Sequence, residues 1–411
     1  MTGRARIDGL PLGALGSALA IACAFGLAAC DGCEQPPATN PDAATPGTGS
    51  TAPSAAPSSS QASASALPSL EQLQANVGDE KQAKDRATAA PIDFAWDLFQ
   101  YVNWPAKRGE RGVPDPAQRL GADGLTAWST WKHTSEVYLP GGKAPDDWQS
   151  GDPTKPPLLE APEIDGRTLT DTNGNLIEFE VRMNADTFGY IVKRQLYGFA
   201  GQQAVRKAGA EAVSFPPGSL EVKATWRLLD PIKDKAILGN YYTRTVTYAS
   251  DGGGTTQAAA GLTGLHIISK ALPDWVWATF EQVDNAKTTE AKLLQPIAAD
   301  VAAANAKMQA ALEGTVWANY QLIGVMTKPV VDDKPVILAN SQMETGFQST
   351  SSCLTCHATA SIGPDDSPRF QFFKPGFQGY VGEPPTQPFD AAQGGKFTKL
   401  DFVWSLKRAR Q

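Results

Sequence analysis

Cysteine, histidine and methionine are scarce in this chain, with 5, 3 and 5 copies among 411 residues. So few ligating side chains exclude a multi-haem array, a string of zinc fingers and a disulfide-dense scaffold. A basic surplus is missing as well. The chain has 36 Lys and Arg against 43 Asp and Glu, a formal charge of −7, so it carries no excess cations for phosphates and no nucleic-acid partner is expected. Walker A, GxSxG and HExxH patterns do not occur, and no internal repeat is evident. What the chain does have is apolar mass. Hydrophobic residues make up 42% of it, with 10 Trp, enough for a substantial globular core.

The N-terminus carries Arg4 and Arg6, then an uncharged stretch of small and apolar residues from Leu10 to Ala29. That pattern is an export leader over residues 1–29. It closes on Leu27-Ala28-Ala29-Cys30, which resembles the lipobox of bacterial lipoproteins. Cys30 is therefore the expected lipidation site, and acyl chains at roughly 0.8 kcal/mol per buried methylene would hold the protein on a membrane. A plain membrane anchor is the alternative, since the apolar run has the length of a short span. Asp31 directly after the cysteine suggests retention at the inner membrane, on the periplasmic side. Residues 30–70 continue as a Ser, Ala, Pro, Thr and Gly-rich tether without Lys or Arg. Its expected mean span is about 35 Å.

Residues 71–411 are expected to form one α+β domain, a β-rich central body with flanking helices and a C-terminal haem-attachment segment. Ile92, Ala95, Trp96, Phe99 and Val102 recur at helical spacing, and the helix should end near Trp104-Pro105. After the turn signal Asn173-Gly174, Phe179, Val181 and Met183 alternate with Glu178, Glu180 and Arg182, the pattern of a half-buried strand. Asp171, Asn173 and Asn175 mimic the start of a calcium loop, but Leu176 and Arg182 stand where Gly and Glu are required, so calcium is rejected. Alternation at Leu220–Leu228 and Trp275–Val283 predicts two more strands. Ile297–Leu312 reads as a helix with Pro296 in its first turn, and Leu400–Arg408 as a terminal helix.

The chemistry lies in Cys353-Leu354-Thr355-Cys356-His357, a C-x-x-C-H motif. In that pattern two thiols add across the haem vinyl groups and the adjacent histidine ligates the iron. A thioredoxin-like redox pair and a partial zinc site are the two other chemistries that use such cysteines. A single motif implies one covalent haem c, attached through Cys353 and Cys356, with His357 axial. Small class I cytochromes carry the motif near the N-terminus with a later axial Met, yet neither Met nor His follows His357. Four-helix-bundle cytochromes conflict with the strands.

The segments Ile92–Trp96 through Pro105, Trp128–Lys132, Leu220–Leu229, Gly264–Lys270, Trp275–Asn285, Trp317–Ile323 and Leu338–His357 resemble a family of exported bacterial cytochrome c proteins. The resemblance covers nearly all of residues 90–360. It implies a single c-type haem on an α+β body, and it does not define a reaction. In that family the C-terminal helix follows the motif closely, so the stretch from Ser361 to Lys396 resembles an insertion.

On the far side of the iron, His133, His266, Met183, Met308, Met326 and Met343 are the available protein ligands. His266 and Met343 are the two retained as possible distal ligands, each with an ordinary packing role as the alternative. His133, between Lys132 and Thr134, is expected at the surface, as are Arg369, Lys374, Arg408 and Arg410. A filled sixth position suits electron transfer, whereas an open one admits peroxide or gases. The expected function is thus a lipid-anchored periplasmic monohaem cytochrome that passes single electrons to an unidentified redox partner. The rival is a haem-dependent enzyme or gas sensor, and no catalytic residue is assigned. Cys33, in the tether, has no expected role.

Overall fold

The computed structural model describes residues 67–160, 169–209, 213–250, 253–364, 381–386, 389 and 396–409. The chain divides into two compact units, residues 1–61 and 62–411, and every described residue lies in the second. Cys30, Cys33, Arg369, Lys374, Arg410 and most of the stretch from Ser361 to Lys396 fall outside the described residues. No helix among the described residues is long and apolar enough to cross a membrane.

The domain is α+β, as its patterning implies. Its helices are α1 Leu70–Gly78, α2 Glu80–Ala89, α3 Pro91–Val102, α4 Thr134–Val137, α5 Ala185–Lys193, α6 Phe199–Ala208, α7 Asn285–Thr288, α8 Ala299–Ala311 and α9 Cys353–His357. Its main strands are β1 Lys132–His133, β2 Glu178–Met183, β3 Leu220–Leu228, β4 Thr243–Ala249, β5 Thr255–Ser269, β6 Val276–Gln282 and β7 Tyr320–Met326. These pair antiparallel in the order β1-β2-β3-β5-β6-β7, with β4 beside β6 along the same edge of the long β5.

Period-two alternation gives the sheet two unlike faces. Val222, Ala224 and Trp226 of β3, Leu265 and Ile267 of β5, and Ala278 and Phe280 of β6 pack against α1, α3 and α8. Phe99 anchors that layer through close ring contacts with Trp96, Phe280 and Trp317. The other face carries Ile268, Trp277, Ile323 and Met326, covered by α5, α6, α9 and the C-terminal segment. The exposed edge of β7 is closed by α8. Asn305 exchanges hydrogen bonds with Leu322, donating to its carbonyl at 2.8 Å and accepting from its amide at 2.9 Å, so the edge offers no free ladder there.

Four expectations need correcting. Strand β2 is buried on both sides rather than half-buried, because Glu180 is enclosed by Arg182, Arg244 and the Trp226 indole, and paired ions can be buried where lone ones cannot. Helix α8 begins at Ala299, so Pro296 precedes it instead of occupying its first turn. The terminal helix is only a 3-10 turn, Trp404–Arg408. Asp401 and Phe402 before it have φ of 48° and 68°, a left-handed conformation that an α-helix cannot accommodate. Arg408 is half-buried in an ion pair with Glu160 instead of being solvated.

Close approach to the sheet demands glycine at one site-bearing position. A Cβ on Gly264 would lie 2.7 Å from the Thr225 hydroxyl and 3.2 Å from the Asn340 amide. Gly264→Ala should therefore cost about 1–3 kcal/mol of stability, read as a lowered midpoint in urea unfolding. A neutral result would contradict this packing.

Candidate functional site

The motif forms its own short helix, α9, capped by Ser352. The Met326 sulfur anchors its start, accepting from the Ser352 hydroxyl and the Leu354 amide, each at 3.5 Å. Cys353 is buried with its Sγ 3.8 Å from the Leu338 carbonyl. Two segments hold α9 against the sheet: the strap 338–344 before it and residues 398–409 after it.

The later segment grips the motif directly. His357 Nδ1 lies 2.8 Å from the Phe402 carbonyl, and the Trp404 indole donates to the Cys356 carbonyl at 3.3 Å. The His357 ring also sits 4.4 Å from the Trp277 ring. Since a carbonyl only accepts, Nδ1 must carry the proton, which leaves Nε2 with the lone pair. Burial pushes the imidazole down to about 4, although the Phe402 bond opposes the shift, so it is neutral at ordinary pH. The positive φ of Phe402 aims that carbonyl. Its neighbour Asp401 is fixed by Lys270 at 2.6 Å and by the Phe215 amide at 2.7 Å. A bulky residue in this conformation is strained, and such strain persists where surrounding contacts impose it.

The thiols behave unlike those of a reactive pair. Burial, aided by Glu344, pushes Cys356 up to about 12 and Cys353 well above its ordinary value. Redox cysteines have depressed values. Among the described residues the motif also follows no parallel strand, because the named strands of the main sheet pair with one another antiparallel throughout. Among the described residues no three His, Cys, Asp or Glu side chains converge to hold a metal ion by themselves.

Beside the motif the sheet presents Lys223, His266 and Thr279 as direct cross-strand neighbours. The strap adds Glu344, whose Oε2 accepts from the Asn340 amide at 2.7 Å and lies 3.5 Å from His266 Nε2. Burial pushes Glu344 up, but His266, Asn340 and Lys223 outweigh it and the net shift is down. Burial also pushes Lys223 down, and its ammonium rests 4.4 Å over the Phe179 ring. An acid, an imidazole and an amine thus meet at the motif. The sequence pattern had suggested no such acid-base group.

The other named residues are distributed differently. His266 lies on the motif face of the sheet. Met343 is buried nearby, and Met308 packs on the opposite face. Met183 joins the motif-side core. His133 is not at the surface. It is 4% exposed, caps α4 by accepting from the Ser135 amide at 3.1 Å, and pairs with Arg182, on the helix-side face. Burial outweighs its nearby carboxylates and pushes it down to about 4. Compared with known proteins, the chain matches no family model, no curated protein and no solved structure.

One further carboxyl braces the site. Glu221 Oε1 accepts from the Ser405 hydroxyl at 2.7 Å, which in turn lies 3.2 Å from the Tyr138 hydroxyl. Burial pushes Glu221 from 4.5 up to about 7, against the pull of Ser405 and Arg408. A carboxyl raised on folding favours the folded state while protonated. Its contribution is complete below about 4.5 and is lost as pH rises through about 7. His133 and His357, pushed down to about 4, give the opposite slope at the acid end, so the comparison with a variant isolates Glu221. Glu221→Gln should be more stable than the native chain near pH 8 by on the order of 1–3 kcal/mol. Equal urea midpoints for the two proteins at both ends of the range would sink this assignment.

Proposed function

We propose that the chain is a monohaem c-type cytochrome that transfers single electrons. Haem would be held by Cys353 and Cys356 through thioether bonds and by His357 as axial ligand. The observation that carries this reading is the His357 Nδ1 to Phe402 carbonyl contact of 2.8 Å. It fixes the tautomer and aim of the imidazole and leaves Nε2 to ligate, as second-shell partners of metal-binding histidines do. The protonated thiols suit addition across vinyl groups better than disulfide exchange. Bound there, haem would supply one-electron redox chemistry, while the protein sets orientation and electrostatics. For the sixth position His266 is favoured over Met343, since it shares the sheet face of the motif, although its Nε2 faces Glu344. The leader and Cys30 support a membrane-anchored, periplasmic location on sequence grounds.

A second reading, a haem enzyme or sensor with an open sixth position, draws on a specific observation. Lys223, His266 and Glu344 would give such a site proton donors and acceptors. Two measurements decide. The chain expressed in a host able to attach haem should give a haem-stained band on a denaturing gel, lost in the Cys353→Ser/Cys356→Ser variant; an unstained native band would overturn the proposal. Reduced protein should show a low-spin spectrum insensitive to carbon monoxide, and His266→Ala should make it high-spin and carbon monoxide-binding. Carbon monoxide uptake by the native protein would favour the enzyme or sensor.

A further inference from the structure

On the opposite face of the sheet from α9, a cleft of about 360 Å³ opens between the N-terminal helices and α8. That lies in the range of small-molecule sites, roughly 300–1,000 Å³. Asn76 of α1, Arg86 of α2 and the α3 residues Asp93, Asp97 and Gln100 all line it. Spacings of four and three residues put the last three on one stripe of α3.

The hydrogen bonding within this group is incomplete. The Asp97 side chain is 4% exposed, and its Oδ2 takes both Arg86 Nε and Asn76 Nδ2, the latter at 3.0 Å. Among the described residues no donor reaches Asp97 Oδ1. Gln100 gives its amide to the Trp96 carbonyl at 3.1 Å, while Gln100 Oε1 and the Trp96 indole nitrogen are buried without any partner. Buried polar atoms are nearly always paired, so the unpaired Gln100 Oε1 asks for a donor from outside the chain. The charges balance. Asp93 and Asp97 stand against Arg86 and, on α8, Lys307. Trp96 and Met308 supply apolar wall.

Unmet acceptors on α3, a cation across the cleft and no net charge together are the complement of a molecule carrying both an ammonium and a carboxylate. We propose that this cleft binds a small zwitterion of the α-amino-acid class. The ammonium is received by Asp97, Gln100 and Asp93, the carboxylate faces Lys307, and the ligand side chain lies against Met308. The site is independent of the haem reading, because it lies across the sheet and uses none of the same residues.

Calorimetric titration of the full chain with individual proteinogenic amino acids tests it, with putrescine and acetate as probes carrying only one kind of charge. At least one amino acid should bind with a Kd below roughly 1 mM, and putrescine and acetate at least about tenfold more weakly. Asp97→Asn and, at the solvated rim, Lys307→Ala should each weaken binding by about tenfold or more. Among the described residues Lys307 has no hydrogen-bond or ion-pair partner to lose, so its variant remains informative if Asp97→Asn unfolds. Absence of binding up to roughly 10 mM to folded protein, equal binding of putrescine, or undiminished binding in Lys307→Ala would each overturn the proposal.

Discussion

A polar row in the middle of a covered sheet has to find partners, and the site face of this protein is organised around that requirement. Glu221, Lys223, His266, Thr279 and Glu281 share one face of three adjacent strands. Each is met by something specific. Ser341 gives Glu281 its amide at 2.6 Å and its hydroxyl at 2.7 Å. Asn340 donates to Thr279 at 2.9 Å. Glu344 faces His266, Ser405 meets Glu221, and the Phe179 ring lies under Lys223. The strap and the C-terminal segment are thus recruited by the sheet's own unsatisfied groups, and between them they hold α9. Beside that polar row, Cys353 and Leu354 of the motif share an apolar core with Ile268, Trp277, Ile323 and Met326 of the strands. The motif is held between the strap and the C-terminal segment, whose Asn340, Ser341, Glu344 and Ser405 meet the polar groups of the strands.

The opposite face shows what the same sheet does without that requirement. There the inward residues at the centre of β3, β5 and β6 are mainly apolar and the covering elements are helices, so packing follows ring geometry and helical periodicity, while Glu180, Arg182 and Arg244 pair with one another toward β2 and β4. The contrast matches the coverings: α1, α3 and α8 pack over one face, whereas on the other α5 and α6 leave the polar row to the strap, the short α9 and the C-terminal turn. A loop can place a carbonyl or a hydroxyl wherever a strand needs it, and a helix has already spent its backbone groups.

What the sequence made legible follows from the same distinction. Helix α3 and strands β3 and β6 are written in local periodicity and appear where expected. The motif, too, is local, since three of its five positions define it. His133 was misplaced because its burial depends on Arg182, about fifty residues away, and on nothing in its own polar neighbourhood. The terminal helix was misread for a similar reason. Leu400, Val403 and Trp404 have helical spacing, yet Lys270 and the His357 ring impose a left-handed turn just where the helix would begin. Lys223 and Glu344 give no individual signal at all. They meet at His266 only through strand register and the strap, and neither can be read without the fold. In the sequence Lys223 is simply one of the polar positions of the alternating run Leu220–Leu228.

The contacts that close the site span long stretches of chain: 45 residues from His357 to Phe402, 184 from Glu221 to Ser405 and 248 from Glu160 to Arg408. Residues 398–409 are the last described piece of the chain, and they dock through a two-residue strand pair, Ser361–Ile362 with Thr398–Lys399, and a handful of side chains. The seven-stranded sheet needs none of these bonds for its own ladders. Local undocking of this one terminal piece would break the His357 and Cys356 contacts that it makes while leaving every ladder of the sheet in place.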